Sequence, residues 1–246
     1  MILRTLILFL IICSTAIAQD LNEVSPAEID IIGKKVLSIT NSVKSYQFML
    51  VKREYVDGKD TGYQYIITKV QSKPLQVYLK FLKPARYEGR EALYKNEQLT
   101  VKRGGRSALK ELVVQLDPEG PMAMEGNKYP ITRIDPNISC ERLVQQINDE
   151  LKFSETRVYK KTGASIDKHP GIHYKLIHTT EQAGMRCMTA EMLISTKLNI
   201  PIYFKVVGWD RKVLEEYYFR DMMLDVKFTP NEFDEGNKEY GFKNER

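Results

Sequence analysis

The sequence predicts an α+β protein built on one large, curved antiparallel sheet that helices cover. Many stretches alternate apolar and polar residues with a period of two, as strands with one buried face do. Turn residues such as Gly, Asn and Asp separate these stretches, so consecutive strands form hairpins and pair antiparallel. Two other stretches repeat apolar residues every three or four positions, which is typical of amphipathic helices. Because a large apolar sheet face must close on itself or be covered, we expect the helices to lie over the sheet.

Length and composition are those of a globular protein. The chain has 246 residues, of which 43% are hydrophobic and 28% are charged, and this usage excludes a disordered chain. Three cysteines are too few for a scaffold held by many disulfides. The formal charge of +5 is too small to indicate nucleic acid, and we expect neither a nucleic-acid partner nor a cofactor. No linker or repeat divides residues 19–246, so we expect a single domain.

The first eighteen residues have the pattern of a secretory signal peptide. Arg4 precedes an apolar run over residues 6–12, and Ala16 and Ala18 form a cleavage site before Gln19. The apolar run is too short to span a membrane. An uncleaved anchor and lipidation at Cys13 are the alternatives. Cleavage would remove the basic residue Arg4, and we expect a soluble, exported or periplasmic protein.

The first element after the signal peptide is a helix over residues 26–44. Ser25 can cap it, Pro26 suits its first turn, and Glu28 stands where a capping-box acid belongs. The apolar stripe that this helix must bury consists of Ile29, Ile32, Val36, Ile39 and Val43.

A first group of strands follows the helix. The expected strands cover residues 46–56, 63–71, 75–81, 89–95, 99–103 and 112–116. Residues 57–62 form the first hairpin loop, and Asn96-Glu97 forms a later turn. The clearest alternation places Leu79 and Phe81 on one face.

The middle of the chain interrupts the strand pattern, and a second group of strands follows. Residues 117–121 break the pattern, residues 122–126 form one or two helical turns, and residues 139–151 form a second helix. The later expected strands cover residues 152–160, 171–179, 185–195, 201–209 and 212–224. The aromatic residues after Lys227 predict that the C-terminal segment docks on the fold.

This order of elements resembles the LolA/LolB-like fold, and within it the group of periplasmic outer-membrane lipoprotein-sorting proteins. The matching segments are residues 83–94 (KPARYEGREALY), 116–124 (LDPEGPMAM), 128–131 (KYPI) and 237–242 (NKEYGF). The resemblance covers nearly all of the chain after the signal peptide. It implies an unclosed barrel with a helical lid over an apolar cavity, which in the carriers of this family takes the acyl chains of a lipoprotein.

We therefore expect an exported carrier or sensor that binds a lipid or lipoprotein acyl chain, and not an enzyme. It would be a monomer that contacts the membrane surface transiently. An envelope interaction protein with a filled core is the alternative. A lipid hydrolase is a third choice, because no Gly-x-Ser-x-Gly nucleophile motif is present.

Methionines and strand residues are the candidates for the cavity. Flexible thioether chains adapt to acyl chains, and Met122 and Met124 lie in the predicted cover. The candidates on the apolar sheet face are Leu79, Phe81, Met188 and Met192. The alternative is that these side chains are ordinary core fillers.

Three further groups of residues have weaker interpretations. Lys102, Arg103 and Arg106 lie in a basic loop that could contact anionic head groups or an acidic partner, or could simply be solvated. Cys140 and Cys187 could form a disulfide or remain separate buried thiols. His169, His173 and His178 are close in sequence, but no nearby cysteine or acid completes a ligand set, so we expect no metal site.

Overall fold

Residues 21–242 are described by a computed structural model. The predicted signal peptide, residues 1–18, lies outside this range. The described residues form thirteen strands and three α-helices, with a short 3₁₀ turn at Ile131–Arg133. The strands are β1 (Asn22–Glu23), β2 (Ser45–Val56), β3 (Lys59–Asp60), β4 (Gln64–Ser72), β5 (Leu75–Lys83), β6 (Glu91–Lys95), β7 (Gln98–Lys102), β8 (Val113–Leu116), β9 (Thr156–Ile166), β10 (His169–His178), β11 (Thr189–Ser195), β12 (Pro201–Val207) and β13 (Val213–Leu224). The helices are α1 (Pro26–Ser42), α2 (Pro121–Met124) and α3 (Pro136–Glu150).

All strands belong to one antiparallel sheet that does not close. Its order is β1-β9-β10-β11-β12-β13-β2-β4-β5-β6-β7-β8, and the short β3 pairs only with β2. Most neighbours in the sheet are also neighbours along the chain. The exception at the centre is the ladder of β2 with β13, in which Tyr46 lies opposite Leu224 and Glu54 opposite Glu215. The predicted fold class, a large unclosed antiparallel sheet covered by helices, is confirmed.

Three two-residue turns join neighbouring strands with positive φ at both positions, the geometry that suits the twist of a hairpin. The predicted turn Asn96-Glu97 is of this kind, and so is Asp57-Gly58, which lies in the hairpin loop predicted over residues 57–62. That loop is shorter than predicted, because Lys59–Asp60 form the strand β3. The third, Asp167-Lys168, joins β9 to β10 and was not expected. As a result β9 extends to Ile166, whereas the sequence predicts a strand over residues 152–160.

Capping explains where the two long helices begin. Ser25 Oγ accepts a hydrogen bond from the Glu28 amide at 3.2 Å, as predicted. The start of α3 was predicted at residue 139, but the helix begins at Pro136 because Asp135 caps it, accepting from the Asn137 amide at 2.9 Å. A capping Asp before a Pro in the first turn is a helix start that the apolar periodicity does not show. Within residues 21–242 no helix is both long and apolar enough to span a membrane.

Two covers divide the inner face of the sheet. Helices α1 and α3 pack on each other and on one half of the sheet, where Val36 and Cys140 join the cluster of Val158, Leu176 and Ile194. The segment of residues 117–135, which we call the cover segment, packs on the other half. Its apolar residues there are Ala123, Tyr129, Ile131 and Ile134.

The C-terminal segment covers the outer face of β5 and β6, as predicted. The Tyr240 ring stacks on Tyr78 with 3.7 Å between ring centroids. Phe233 and Phe242 are buried in the same cluster with Leu93. This part of the sheet is therefore covered on both faces.

The two described cysteines are buried, free thiols. Cys140 lies on α3, whereas Cys187 lies in the loop before β11. The disulfide that the sequence left open is not formed, and the alternative of two separate thiols describes the structure.

Candidate functional site

A cavity of about 130 Å³ lies between the sheet and the cover segment. The sheet contributes side chains from its inner face, including Leu50 on β2, Ile66 on β4, and Leu79 and Phe81 on β5. Because side chains on a strand alternate between faces, these positions, two apart along β5, reach the same cavity. The last residue of β8, Leu116, also lines it, and the cover segment contributes Pro118, Met122, Ala123, Tyr129, Pro130, Ile131 and Ile134.

The predicted cavity residues divide into three groups. Leu79, Phe81 and Met122 line the cavity, and Met122 stands at its rim with 71% of its surface exposed. Met192 lines a separate cavity of about 30 Å³ between α1, α3 and the sheet. Met124 and Met188 line neither of these cavities. The alternation of β11 was read correctly as a buried face, but the two long helices fill that half of the interior.

One end of the cavity contains a buried ion pair. Lys52 Nζ lies 2.8 Å from Glu54 Oε2, and these side chains are only 9% and 2% exposed. Lys52 also donates to Asn127 Oδ1 at 2.7 Å. Glu54 accepts hydrogen bonds from the Tyr217 hydroxyl and the Lys128 amide. Burial by itself would raise the pKa of Glu54, but Lys52 and these donors lower it below its usual range. Through their hydrogen bonds to Asn127 and Lys128, the two charged residues of β2 hold the cover segment on the sheet.

A second polar group lies beside this pair. The Tyr129 hydroxyl donates to Glu215 Oε2 at 2.9 Å, and Lys128 Nζ lies 3.1 Å from Glu215 Oε1. The guanidinium of Arg142 stacks on the Tyr129 ring, 3.5 Å from its centroid. Burial and then the negative charge of Glu215 raise the pKa of Tyr129.

Arg142 has unused hydrogen-bonding capacity in this cavity. Its Nε and Nη1 atoms are buried and form no hydrogen bond with any part of residues 21–242. Buried guanidinium donors are costly when unpaired. An anionic oxygen in the cavity would satisfy them, because a guanidinium matches a carboxylate or phosphate well.

None of these polar residues was predicted from the sequence. A signal for one pair was present, because Lys52 and Glu54 continue the inward-facing series of Phe48 and Leu50 on β2. Two opposite charges in a buried apolar series indicate an internal ion pair. Tyr129 and Arg142 gave no comparable signal, because their contact depends on how the cover segment folds over the sheet.

The predicted basic patch is not a set of three free charges. Lys102 is mostly buried, with Nζ 2.8 Å from Glu111 Oε2. Arg103 and Arg106 are exposed. A contact of this loop with anionic head groups stays a prediction.

The three histidines do not form one group in the structure. One of them, His178, has neighbours that the sequence did not predict. His173 Nε2 lies 3.3 Å from Glu191 on the sheet. His178 is fully buried, and its ring lies with the Glu150 carboxylate and the Cys187 thiol so that one ligand atom of each falls within 4.8 Å of the others. No nearby cysteine or acid was found in the sequence to complete a ligand set, whereas the fold brings Glu150 and Cys187 to His178. Glu150 and Cys187 come from other elements, which sequence proximity does not show.

Comparisons with known proteins identify a family and a fold. The family described as "Protein of unknown function (DUF1571)" matches residues 43–242. No curated protein matches the chain in sequence. The structure of MucB is similar with a TM-score of 0.50 at 13% identity, over 86% of this chain and 64% of MucB. The lipoprotein LppX of Mycobacterium tuberculosis has a TM-score of 0.48 at 10% identity, over 83% of this chain and 99% of LppX. LprF of Mycobacterium bovis has a TM-score of 0.48 at 14% identity, over 86% of this chain and 100% of LprF.

At these identities the likeness concerns the fold alone. The similarity to MucB confirms the LolA-like fold that the sequence resemblance implies.

Proposed function

The chain belongs to the DUF1571 family, and we propose that it is an exported carrier or sensor that binds an acyl chain of a lipid or lipoprotein in the cavity under its cover segment. The single observation that supports this most is the cavity itself, a largely apolar space between the sheet and the cover segment. Burial of methylene groups there would supply most of the affinity, at about 0.8 kcal/mol for each.

The size of the cavity predicts how the ligand enters. A volume of about 130 Å³ is close to that of the engineered cavity of roughly 150 Å³ that holds a benzene molecule. A whole acyl chain therefore needs the cover segment to move outward. Binding and the opening of the cover are then one equilibrium.

The ligand that fits best has an acidic group at one end. Arg142 places unpaired, buried guanidinium donors at the cavity, where a carboxylate or phosphate oxygen would accept from them. Neither acid–base chemistry nor a nucleophile is part of this proposal, and the protein acts by binding.

The signal peptide predicted over residues 1–18 supports an exported location. The ligand would then be taken from, or delivered to, a membrane surface that the protein contacts transiently, with the exposed Arg103 and Arg106 on one of its loops.

The first test is to extract and identify small molecules bound to the natively purified protein, and to titrate it with a fluorescent fatty acid. We expect bound lipids and saturable binding of the fatty acid. Met122→Asp places a charge at the rim of the cavity and should weaken binding about tenfold, which corresponds to about 1.4 kcal/mol. Met223→Asp is the matched control, because Met223 is another exposed methionine but lies on β13 away from the cavity. Preparations without lipid that also fail to bind the fatty acid would instead support an interaction protein with a filled core.

The second test separates the acyl chain from its head group. Arg142→Gln should weaken binding of a fatty acid but leave binding of the fatty alcohol of equal length nearly unchanged. Equal losses for both ligands would contradict a role of Arg142 in recognising an anion.

A further inference from the structure

Three elements that are separate in sequence bring a thiol, an imidazole and a carboxylate to one buried point. Glu150 is the last residue of α3, His178 is the last residue of β10, and Cys187 lies in the loop between β10 and β11. Their ligand atoms lie within 4.8 Å of one another, and all three residues are buried. This cluster lies outside the set of residues that line the acyl-chain cavity.

Hydrogen bonding decides which nitrogen of His178 faces the cluster. The Thr156 hydroxyl donates to the Glu150 carbonyl at 2.6 Å, so its oxygen is left to accept from His178 Nδ1 at 3.1 Å. With the proton on Nδ1, the neutral ring presents the lone pair of Nε2 to the cluster.

That lone pair faces an oxygen lone pair of the Glu150 carboxylate. His178 Nε2 lies 2.9 Å from Glu150 Oε2, and the two form an ion pair only when the ring carries a second proton; otherwise both buried atoms are without a hydrogen-bond partner among residues 21–242. Two facing lone pairs at this distance repel unless a cation lies between them. A proton would satisfy the histidine and the glutamate but would leave the thiol of Cys187 without a role.

We propose that Glu150, His178 and Cys187 bind a zinc ion, with a water molecule as its fourth ligand. Zinc takes thiolate, imidazole and carboxylate ligands in a tetrahedral arrangement, whose bond lengths require ligand atoms about 3.3–3.6 Å apart. The cluster needs only a small rearrangement to reach these separations. On binding, the Cys187 thiol releases its proton to solvent, and the thiolate and the carboxylate together balance the two charges of the ion.

The surroundings of the cluster are those of a metal site. The Nδ1 contact with Thr156 fixes the ring of His178, as a second hydrogen bond does for most metal-binding histidines. The Arg186 amide donates to Glu150 Oε1 at 3.2 Å, which leaves Oε2 directed at the cluster. The rings of Phe153 and Trp209 pack against the imidazole with centroids 6.3 and 6.4 Å away.

Cobalt titration tests the proposal. The chain from Gln19, made without a polyhistidine tag, is freed of metal with a chelator and titrated with Co²⁺, which replaces zinc and is coloured. We expect one equivalent to bind, with the charge-transfer band of a cobalt–thiolate bond and the strong visible bands of four-coordinate cobalt. Zn²⁺ should then displace the cobalt and raise the melting temperature. Failure to bind one equivalent, or cobalt spectra without the thiolate band, would overturn the proposal, and neither result depends on a variant.

Two cysteine variants identify the ligand. Cys187→Ser should abolish the thiolate band and the stabilisation by zinc. Cys140→Ser is the matched control, because Cys140 is also a buried free thiol on α3 but belongs to the cluster between α1 and the sheet. The control should keep both signals. A Cys187→Ser protein that is folded by circular dichroism and retains the band would exclude Cys187 as a ligand.

Discussion

The ion pair of Lys52 and Glu54 shows how much a single buried charge depends on its partner. Glu54→Gln would leave the Lys52 ammonium buried without its counter-charge. Breaking a buried pair by removing one partner costs about 3–5 kcal/mol, and we expect a loss of about 3 kcal/mol because the amide keeps some of the hydrogen bonds. Denaturant unfolding of the variant and the parent protein measures this loss.

The control for this variant is an exposed pair. Asp30 lies 2.6 Å from Lys34 on the surface of α1, with side chains 51% and 75% exposed. Asp30→Asn should hardly change the free energy of unfolding, because such pairs are weak in water. Equal effects of the two substitutions would show that the Lys52–Glu54 pair is not buried in solution.

Glu191 gives the protein a defined acid sensitivity. The hydrogen bond from His173 first, and then Lys175, lower the pKa of Glu191 from 4.5 to about 2, although burial opposes the shift. Because the pKa is lower in the folded state, the carboxylate stabilises the fold fully above pH 4.5, and this stabilisation disappears as the pH falls towards 2.

We therefore expect the melting temperature of the parent protein to fall more steeply below pH 4.5 than that of Glu191→Gln. The two curves should converge near pH 2, the pKa of the folded carboxyl. Calorimetry across this range measures the slopes. Glu181→Gln, at an exposed position, should follow the parent, and parallel curves for the parent and Glu191→Gln would contradict the assignment.

At the scale of residues, the sequence predicts what periodicity determines and little else. Leu79 and Phe81 were found because a strand repeats every two residues. His178, Glu150 and Cys187 could not be grouped, because only the tertiary fold brings the end of a helix to the end of a strand. The exposure of Met122 likewise depends on how the cover segment lies on the sheet, which no local pattern specifies.

At the scale of elements, turn chemistry explains both the correct and the wrong boundaries. The turn at Asp57-Gly58 contains a glycine with positive φ, and it lies within the hairpin loop predicted over residues 57–62. The turn at Asp167-Lys168 places two side chains in the same geometry, and such a turn has no clear sequence signal. Gly163, which lies between the strands predicted over residues 152–160 and 171–179, is inside β9 instead.

The contact of α1 with α3 depends on a small residue. A Cβ atom added at Gly33 would lie 3.1 Å from Val144 Cγ1, so a larger side chain must push the helices apart. We expect Gly33→Leu to destabilise the protein by about 1–3 kcal/mol, the usual cost of overpacking. Thermal and denaturant unfolding measure the change.

A second substitution tests whether this contact is the cause. Val144→Ala makes room for the new side chain, so the double variant should recover part of the loss, as coupled neighbours do. Ile31→Leu changes an exposed position of the same helix and should have little effect. Additive losses in the double variant would show that the cost of Gly33→Leu arises elsewhere.

At the scale of the whole molecule, the sheet is held from both sides. The cover segment and the helices bury the inner face, and the C-terminal segment buries the outer face around Tyr78 and Leu93. Lys69 also forms an ion pair with Glu232 of that segment. The segment therefore belongs to the core and is not an appendage.

Truncation after Lys227 tests this role. The shortened chain loses the buried rings of Phe233, Tyr240 and Phe242, and the loss of even one such ring typically costs about 3–5 kcal/mol. We expect a large fall in melting temperature and binding of a dye that reports exposed apolar surface. Glu239→Ala, which changes an exposed residue of the segment, should behave like the parent. A truncated protein with an unchanged melting temperature would contradict the docking.

The architecture was more predictable than any of its sites. Alternating stretches, hairpin turns and two amphipathic helices suffice to predict an antiparallel sheet with a helical cover, because these patterns are local. Which half of the sheet each cover occupies is not local. Met188 and Met192 were for this reason both assigned to the cavity, whereas Met192 packs in the half that α1 and α3 cover.

The ladder between β2 and β13 also sets a limit on how quickly the protein folds. Each half of the chain can form its hairpins early, since most strands pair with their neighbours along the chain. The central ladder must wait until Leu224 meets Tyr46, and contacts between such distant residues are slow to form because a long loop must close first. While the C-terminal half is still being synthesised, β2 can pair with β4 but not yet with β13. A chain that completes its fold late can cross a membrane in the unfolded state for longer. This suits a protein that we propose to be exported.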